Sequence, residues 1–122
     1  MFSRPEIGRE LVDRLGDTLH YTLDIKQAIR AGEDPLDFVK VLGNRIVNLH
    51  LCDVFHQPDG RVTLAMPGQG DYDFAALSRA MAQAGYQGPA MIEVYSDMYQ
   101  NLSEIEISRR AMEQVFNPLA DI

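Results

Sequence analysis

Three residues in this sequence have the types and placement to hold a divalent cation: Asp24, His50 and Glu93. Each stands at or beside the end of a short apolar or β-branched run, Leu19–Leu23, Arg45–Leu51 and Ala90–Tyr95. Side chains alternate along a strand, so parity sorts each run into two faces. Leu19, Tyr21 and Leu23 oppose His20, Thr22 and Asp24; Val47, Leu49 and Leu51 oppose Ile46, Asn48 and His50; Ala90, Ile92 and Val94 oppose Met91, Glu93 and Tyr95. The more apolar face of each run suits packing against helices, and the other face carries one side chain able to bind a metal. Two carboxylates and an imidazole suit a borderline cation, Mn²⁺, Zn²⁺ or Co²⁺, and suit Mg²⁺ less because of the nitrogen. Such a cation would also offset the cost of bringing two like charges together. Taken singly, Asp24 reads as a helix cap and His50 as a hydrogen-bonded core histidine. Glu93 is harder to dismiss, because a carboxylate between Ile92 and Val94 is rarely buried without a partner.

The elements that would position these residues are marked by their starts and stops. Ser3-Arg4-Pro5-Glu6 has the form of a capping box, Ile7, Leu11, Val12 and Leu15 repeat at helical spacing, and Gly16 offers a left-handed stop. Asp34-Pro35 opens a second helix that ends at Gly43, and Asp73 opens a third that ends at Gly85. Ser103-Glu104-Ile105-Glu106 is read as another capping box, starting a helix that runs to about Phe116 before Asn117-Pro118. A short helical segment around Gln27–Ala31 links the first strand to the second helix. Strand and helix then alternate, the order that gives a parallel sheet with its carboxyl ends on one rim, where α/β folds bind their ligands. No linker divides the chain, and residues 1–122 read as a single domain.

Composition narrows the function classes. Eleven Lys and Arg stand against 18 Asp and Glu, a net charge of −7 with no basic cluster, which argues against nucleic acid or an anionic membrane as partner. No stretch approaches the roughly 18–20 apolar residues that span a bilayer, and the amino terminus lacks a basic-then-apolar leader. A lone cysteine, Cys52, cannot form an internal disulfide, so a cytoplasmic setting is the default expectation.

The runs Leu23-Asp24-Ile25, Asn48-Leu49-His50-Leu51-Cys52-Asp53, Pro67-Gly68-Gln69-Gly70-Asp71, Gly85-Tyr86-Gln87-Gly88-Pro89 and Ile92-Glu93 together resemble the xylose isomerase-like TIM-barrel superfamily. That superfamily includes sugar isomerases, sugar 3-epimerases, hydroxypyruvate isomerase, inosose dehydratase and the endonuclease IV type of repair enzyme. The resemblance implies that Asp24, His50 and Glu93 match the metal ligands of the sixth, seventh and eighth barrel strands. It implies further that Glu93 is catalytic, moving a proton next to a carbonyl while the metal steadies the resulting oxygens. His56, six residues after His50, matches a loop position where family members often contact substrate, and it reads equally as an exposed loop histidine. Gln27 stands where the family commonly has histidine, and its amide suits a substrate hydroxyl better than a metal. Val62, Thr63 and Leu64 occupy the loop where the endonuclease branch carries further zinc ligands, which with the acidic charge argues against DNA repair.

A barrel of this type has eight strands in roughly 250 residues. The expected fold is therefore α/β, parallel βα units corresponding to the last three strands and helices of a TIM barrel. The resemblance places the family's fourth ligand, a glutamate that is also the second acid/base of epimerases, upstream of everything in this sequence. An obligate oligomer is expected, either a homodimer or a pairing with an N-terminal half-barrel. Two functions follow. One is a metal-dependent isomerase or epimerase of a small sugar or polyol that is incomplete as a lone chain. The other is an inactive metal- or sugar-binding or structural half-barrel.

Overall fold

A computed structural model describes residues 4–116. Its elements in chain order are α1 (Pro5–Leu15), β1 (Tyr21–Asp24), α2 (Ile25–Arg30), α3 (Pro35–Leu42), β2 (Ile46–Leu51), β3 (Asp53–His56), β4 (Val62–Ala65), α4 (Phe74–Gln83), β5 (Ala90–Ile92) and α5 (Leu102–Phe116). Helix α1 ends at Gly16 and α3 at Gly43, both at positive φ, as the stop signals imply. Asp34 and Asp73 cap α3 and α4, accepting from the backbone N–H groups of Leu36 and Ala76. Ser3, part of the first expected capping box, lies outside the described residues, as do Asn117 and Pro118. The last helix departs from expectation at its start. Asn101, not Ser103, is its cap: the Asn101 amide oxygen accepts from Ser103 N at 3.1 Å, and the Glu104 carboxylate accepts from Gln100 N at 3.1 Å. Asparagine caps as well as serine does, and its position here leaves Ser103 inside the first turn.

Strands β1, β2 and β5 form a parallel sheet in the order β1-β2-β5. The crossover helices cover one face, where Leu23, Leu49 and Leu51 meet Phe38 and Leu42 of α3, Leu77 and Met81 of α4, and Met112 of α5. Simple alternation fails in one place. Tyr21 pairs with Ile46 but Thr22 pairs with Asn48, so Val47 is an extra residue in β2. This bulge turns Ile46 into the helix-packed core at 3% exposure and leaves Val47 45% exposed, the reverse of the parity expected from the sequence. From Asn48 onward the parity is as expected. The opposite face, carrying Thr22, Asn48 and Met91, is not covered by any helix among the described residues, and Met91 is 53% exposed. The two outer strands, β1 and β5, each have one edge without a paired strand among those residues.

An antiparallel hairpin, β3–β4, follows β2 directly and was not expected; Val62, Thr63 and Leu64 are strand, not loop. Its turn is Gln57-Pro58-Asp59-Gly60, closed by Gly60 N donating to Gln57 O at 2.9 Å. One buried carboxylate ties the hairpin to the loop that returns to α4. Asp53 Oδ1 accepts from Val54 N and Tyr72 N, and Oδ2 from Gly68 N and Gly70 N, all between 2.8 and 3.1 Å. Gly70 is required by this approach, since a Cβ there would lie 2.3 Å from the Val54 carbonyl oxygen and 2.4 Å from Asp53 Oδ1.

Candidate metal centre

Asp24 is the last residue of β1, His50 the next to last of β2, and Glu93 follows β5 by one residue. The ladder extends to Glu93 through its N–H, which donates to Leu51 O at 2.8 Å. Parallel pairing sets Asp24 opposite His50, and His50 opposite Met91, so the three ends reach the same rim. One ligand atom from each of Asp24, His50 and Glu93 lies within 4.8 Å of the other two. His50 Nδ1 is 3.7 Å from Asp24 Oδ2 and 3.7 Å from Glu93 Oε2. Ligands about 2.1 Å from a tetrahedral zinc are about 3.4 Å apart, so small side-chain adjustments would close these three around one ion.

The donor atoms are also divided so that the inner oxygens are left for a cation. Asp24 is the helix cap that its sequence position suggests. Its Oδ1 caps α2 by accepting from Gln27 N at 3.0 Å, which leaves Oδ2 facing His50. Glu93 Oε1 accepts from Lys26 Nζ at 2.7 Å and from the Tyr95 hydroxyl, whereas its Oε2 is buried with no hydrogen-bond partner among the described residues. An ionised oxygen in that state is costly unless a positive centre meets it, and His50 and Asp24 supply the remaining ligands for one. The residues present therefore fit a divalent cation.

Lys26 and Tyr95 belong to this centre. The Lys26 side chain is only 4% exposed, and its ammonium donates to both Glu93 and the Tyr95 hydroxyl. Burial pushes the Glu93 carboxyl up, but the Lys26, Tyr95 and Asp24 contacts outweigh it and hold the group at about 2. Asp24 goes the other way. Its burial raises it, the Gln27 N–H opposes this, and the Glu93 carboxylate raises it further. The neighbouring Cys52 is fully buried, and burial pushes its thiol up to about 11.

The other two candidate residues stand apart from the cluster. Gln27 is exposed in the first turn of α2, and its backbone N–H is what holds Asp24. His56 ends β3 with its side chain 57% exposed. Its backbone N–H and its Nδ1 both meet the Asp71 carboxylate, at 2.7 and 2.8 Å. Sequence reading did not find Lys26, although a buried and a partly buried carboxylate side by side call for a cation. Tyr95 did carry a signal, because it shares Glu93's strand parity.

The sequence profile described as xylose isomerase-like TIM barrel matches residues 1–115. An uncharacterised protein of Mycobacterium leprae is 34% identical over 91 residues, covering 75% of this chain and 32% of that protein. An inosose dehydratase of Clostridium perfringens is 27% identical over 103 residues, covering 72% of this chain and 35% of the enzyme. The crystal structure of the IolI protein with a bound zinc atom superposes with a TM-score of 0.75 at 22% identity, over 96% of this chain and 45% of that one. The chain thus spans about a third of the length of these curated relatives. With its parallel βα units and a profile match over nearly its whole length, this chain belongs to the xylose isomerase-like TIM-barrel family and represents part of such a barrel.

Proposed function

We propose that this chain supplies the metal-binding half of an enzyme that moves a proton next to a carbonyl in a small sugar or polyol. The observation that carries this is the unpartnered Glu93 Oε2, set 3.7 Å from His50 Nδ1 in a cluster completed by Asp24. Asp24, His50 and Glu93 would hold a divalent cation, Mn²⁺, Zn²⁺ or Co²⁺ in preference to Mg²⁺. When bound, such an ion lowers the energy of negative charge developing on substrate oxygens. Glu93 is kept ionised by Lys26 and Tyr95, the form in which a carboxylate can accept a proton. Gln27 and His56 are proposed to contact substrate hydroxyls, His56 with its Nδ1 fixed by Asp71. An isomerase and a dehydratase both begin by removing such a proton, so the inosose dehydratase relatives support this step without choosing between the two outcomes. A second acid/base group would come from a further half-barrel or a second copy, consistent with the edges of β1 and β5 that pair with no strand among the described residues.

A second reading rests on Glu93 as well. A carboxylate held at about 2 is a weak base at neutral pH, which favours a module that binds metal or sugar without turnover. Calorimetric titration with Zn²⁺, Mn²⁺ and Co²⁺, paired with deuterium wash-in from D₂O next to the carbonyl of ketoses and inososes, separates the two. Metal binding lost in Glu93→Gln, together with wash-in, is the expected result. Metal binding without wash-in supports the binding module. If no ion binds and Glu93→Gln changes nothing, the metal centre itself is refuted.

A further inference from the structure

His50 can ligate through Nδ1 only if that nitrogen carries no proton, and a neutral imidazole then bears its proton on Nε2. The residue that meets Nε2 is Asn48, two positions earlier on the same face of β2, with Nδ2 3.3 Å from Nε2. An amide nitrogen can only donate, so this contact matches the tautomer in which Nε2 accepts and the proton is on Nδ1, the nitrogen that faces Asp24 Oδ2 and Glu93 Oε2. The Asn48 carbonyl oxygen, meanwhile, is buried with no hydrogen-bond partner among the described residues. Asn48 thus has an unused acceptor beside a ring nitrogen that must become a donor when metal binds. Half a turn about Cβ–Cγ exchanges the two ends of the amide and gives Nε2–H its acceptor. Only a side chain with both a donor and an acceptor can serve both states of the ring.

We propose that Asn48 is the positioning residue of the metal centre, donating to His50 Nε2 in the metal-free site and accepting from it in the loaded one. The inference rests on the metal reading of Asp24, His50 and Glu93 and adds to it a residue that never touches the ion. Met91, next to Asn48 on that face, offers only a weak acceptor, its Sδ 3.8 Å from the Asn48 amide nitrogen.

The test compares Zn²⁺ affinity by calorimetry in the unsubstituted chain, Asn48→Leu and Asn48→Asp, with apo-protein denaturation curves to establish that all three are folded. Groups that orient a metal-bound histidine typically account for 10- to 100-fold in metal affinity. Asn48→Leu should therefore weaken Zn²⁺ binding at least tenfold, while Asn48→Asp, which keeps an acceptor at Nε2, should bind at least as tightly as the original. Imidazole ¹⁵N shifts supply a second readout. The His50 proton should move from Nδ1 to Nε2 on addition of Zn²⁺ in the original chain. A loss below tenfold in Asn48→Leu, an equal loss in Asn48→Asp, or a ring proton that stays on Nδ1 would each overturn the role of Asn48 while leaving the metal centre standing. Absence of Zn²⁺ binding to the unsubstituted chain would refute the centre and this inference together.

Discussion

Replacing Lys26 with methionine removes the one ammonium at the centre while nearly preserving volume and flexibility. The Lys26–Glu93 pair is 2.7 Å long, with the lysine side chain 4% and the glutamate 25% exposed. A carboxyl held at about 2 rather than near its ordinary value of about 4.3 represents about 3 kcal/mol of stability at neutral pH. Tyr95 and Asp24 carry part of that, and the quarter exposure of Glu93 lets water screen some of it. The share belonging to Lys26 is then about 2 kcal/mol, below the roughly 3–5 kcal/mol for breaking a fully buried pair. The sign follows from the lowered value. The contribution is complete above about pH 4.3 and is lost as pH falls toward about 2. Urea denaturation of the metal-free protein should thus show Lys26→Met destabilised by about 2 kcal/mol at pH 7, with the difference shrinking steadily below pH 4. The same variant should bind Zn²⁺ more tightly, because a like charge has gone from beside the ion. A difference that does not change between pH 7 and pH 3, or one below about 0.5 kcal/mol at pH 7, would refute the assignment of Lys26 as the charge that holds Glu93.

Two other outcomes are expected. Asp53→Asn turns an acceptor oxygen into a donor facing two of the four N–H groups now bound to Asp53, and should cost about 2–4 kcal/mol in denaturant titration. The Cys52 thiol should resist a disulfide reagent at mildly alkaline pH until the protein is denatured; its raised value contributes stability below about 8.5 that is lost as pH climbs toward about 11.

The clustering of Asp24, His50 and Glu93 was legible because it depends on local rules. Asp24, His50 and Glu93 each follow or end an apolar run, and parity together with parallel pairing is enough to gather them at one rim. Parity failed only upstream, at Ile46 and Val47, where an inserted residue shifts the ladder. The hairpin has a local signal in Pro58-Asp59-Gly60 between two β-prone runs, whereas the family resemblance implies a loop over Val62, Thr63 and Leu64. Lys26 was beyond reach for a different reason. Its residue type points to solvent, and only the tertiary placement of Glu93, 67 residues later, makes its burial favourable. Asn101 and Ser103 are both good caps two residues apart, and nothing local chooses between them.

The four-way grip of Asp53 divides the rim into a part that must keep its shape and a part that need not. Asp53 lies three residues beyond His50 and ties the root of the hairpin to the loop that returns from it, and none of its four hydrogen bonds reaches the tip at 57–61. Extra residues spliced in beside Gly60 would lengthen the arm and leave the four hydrogen bonds of the clamp in place. The hairpin is thus a cassette. To graft another one here, a protein engineer would keep Asp53, Gly68 and Gly70 together with the buried Ala65, Met66 and Pro67, and would rewrite the tip at 57–61.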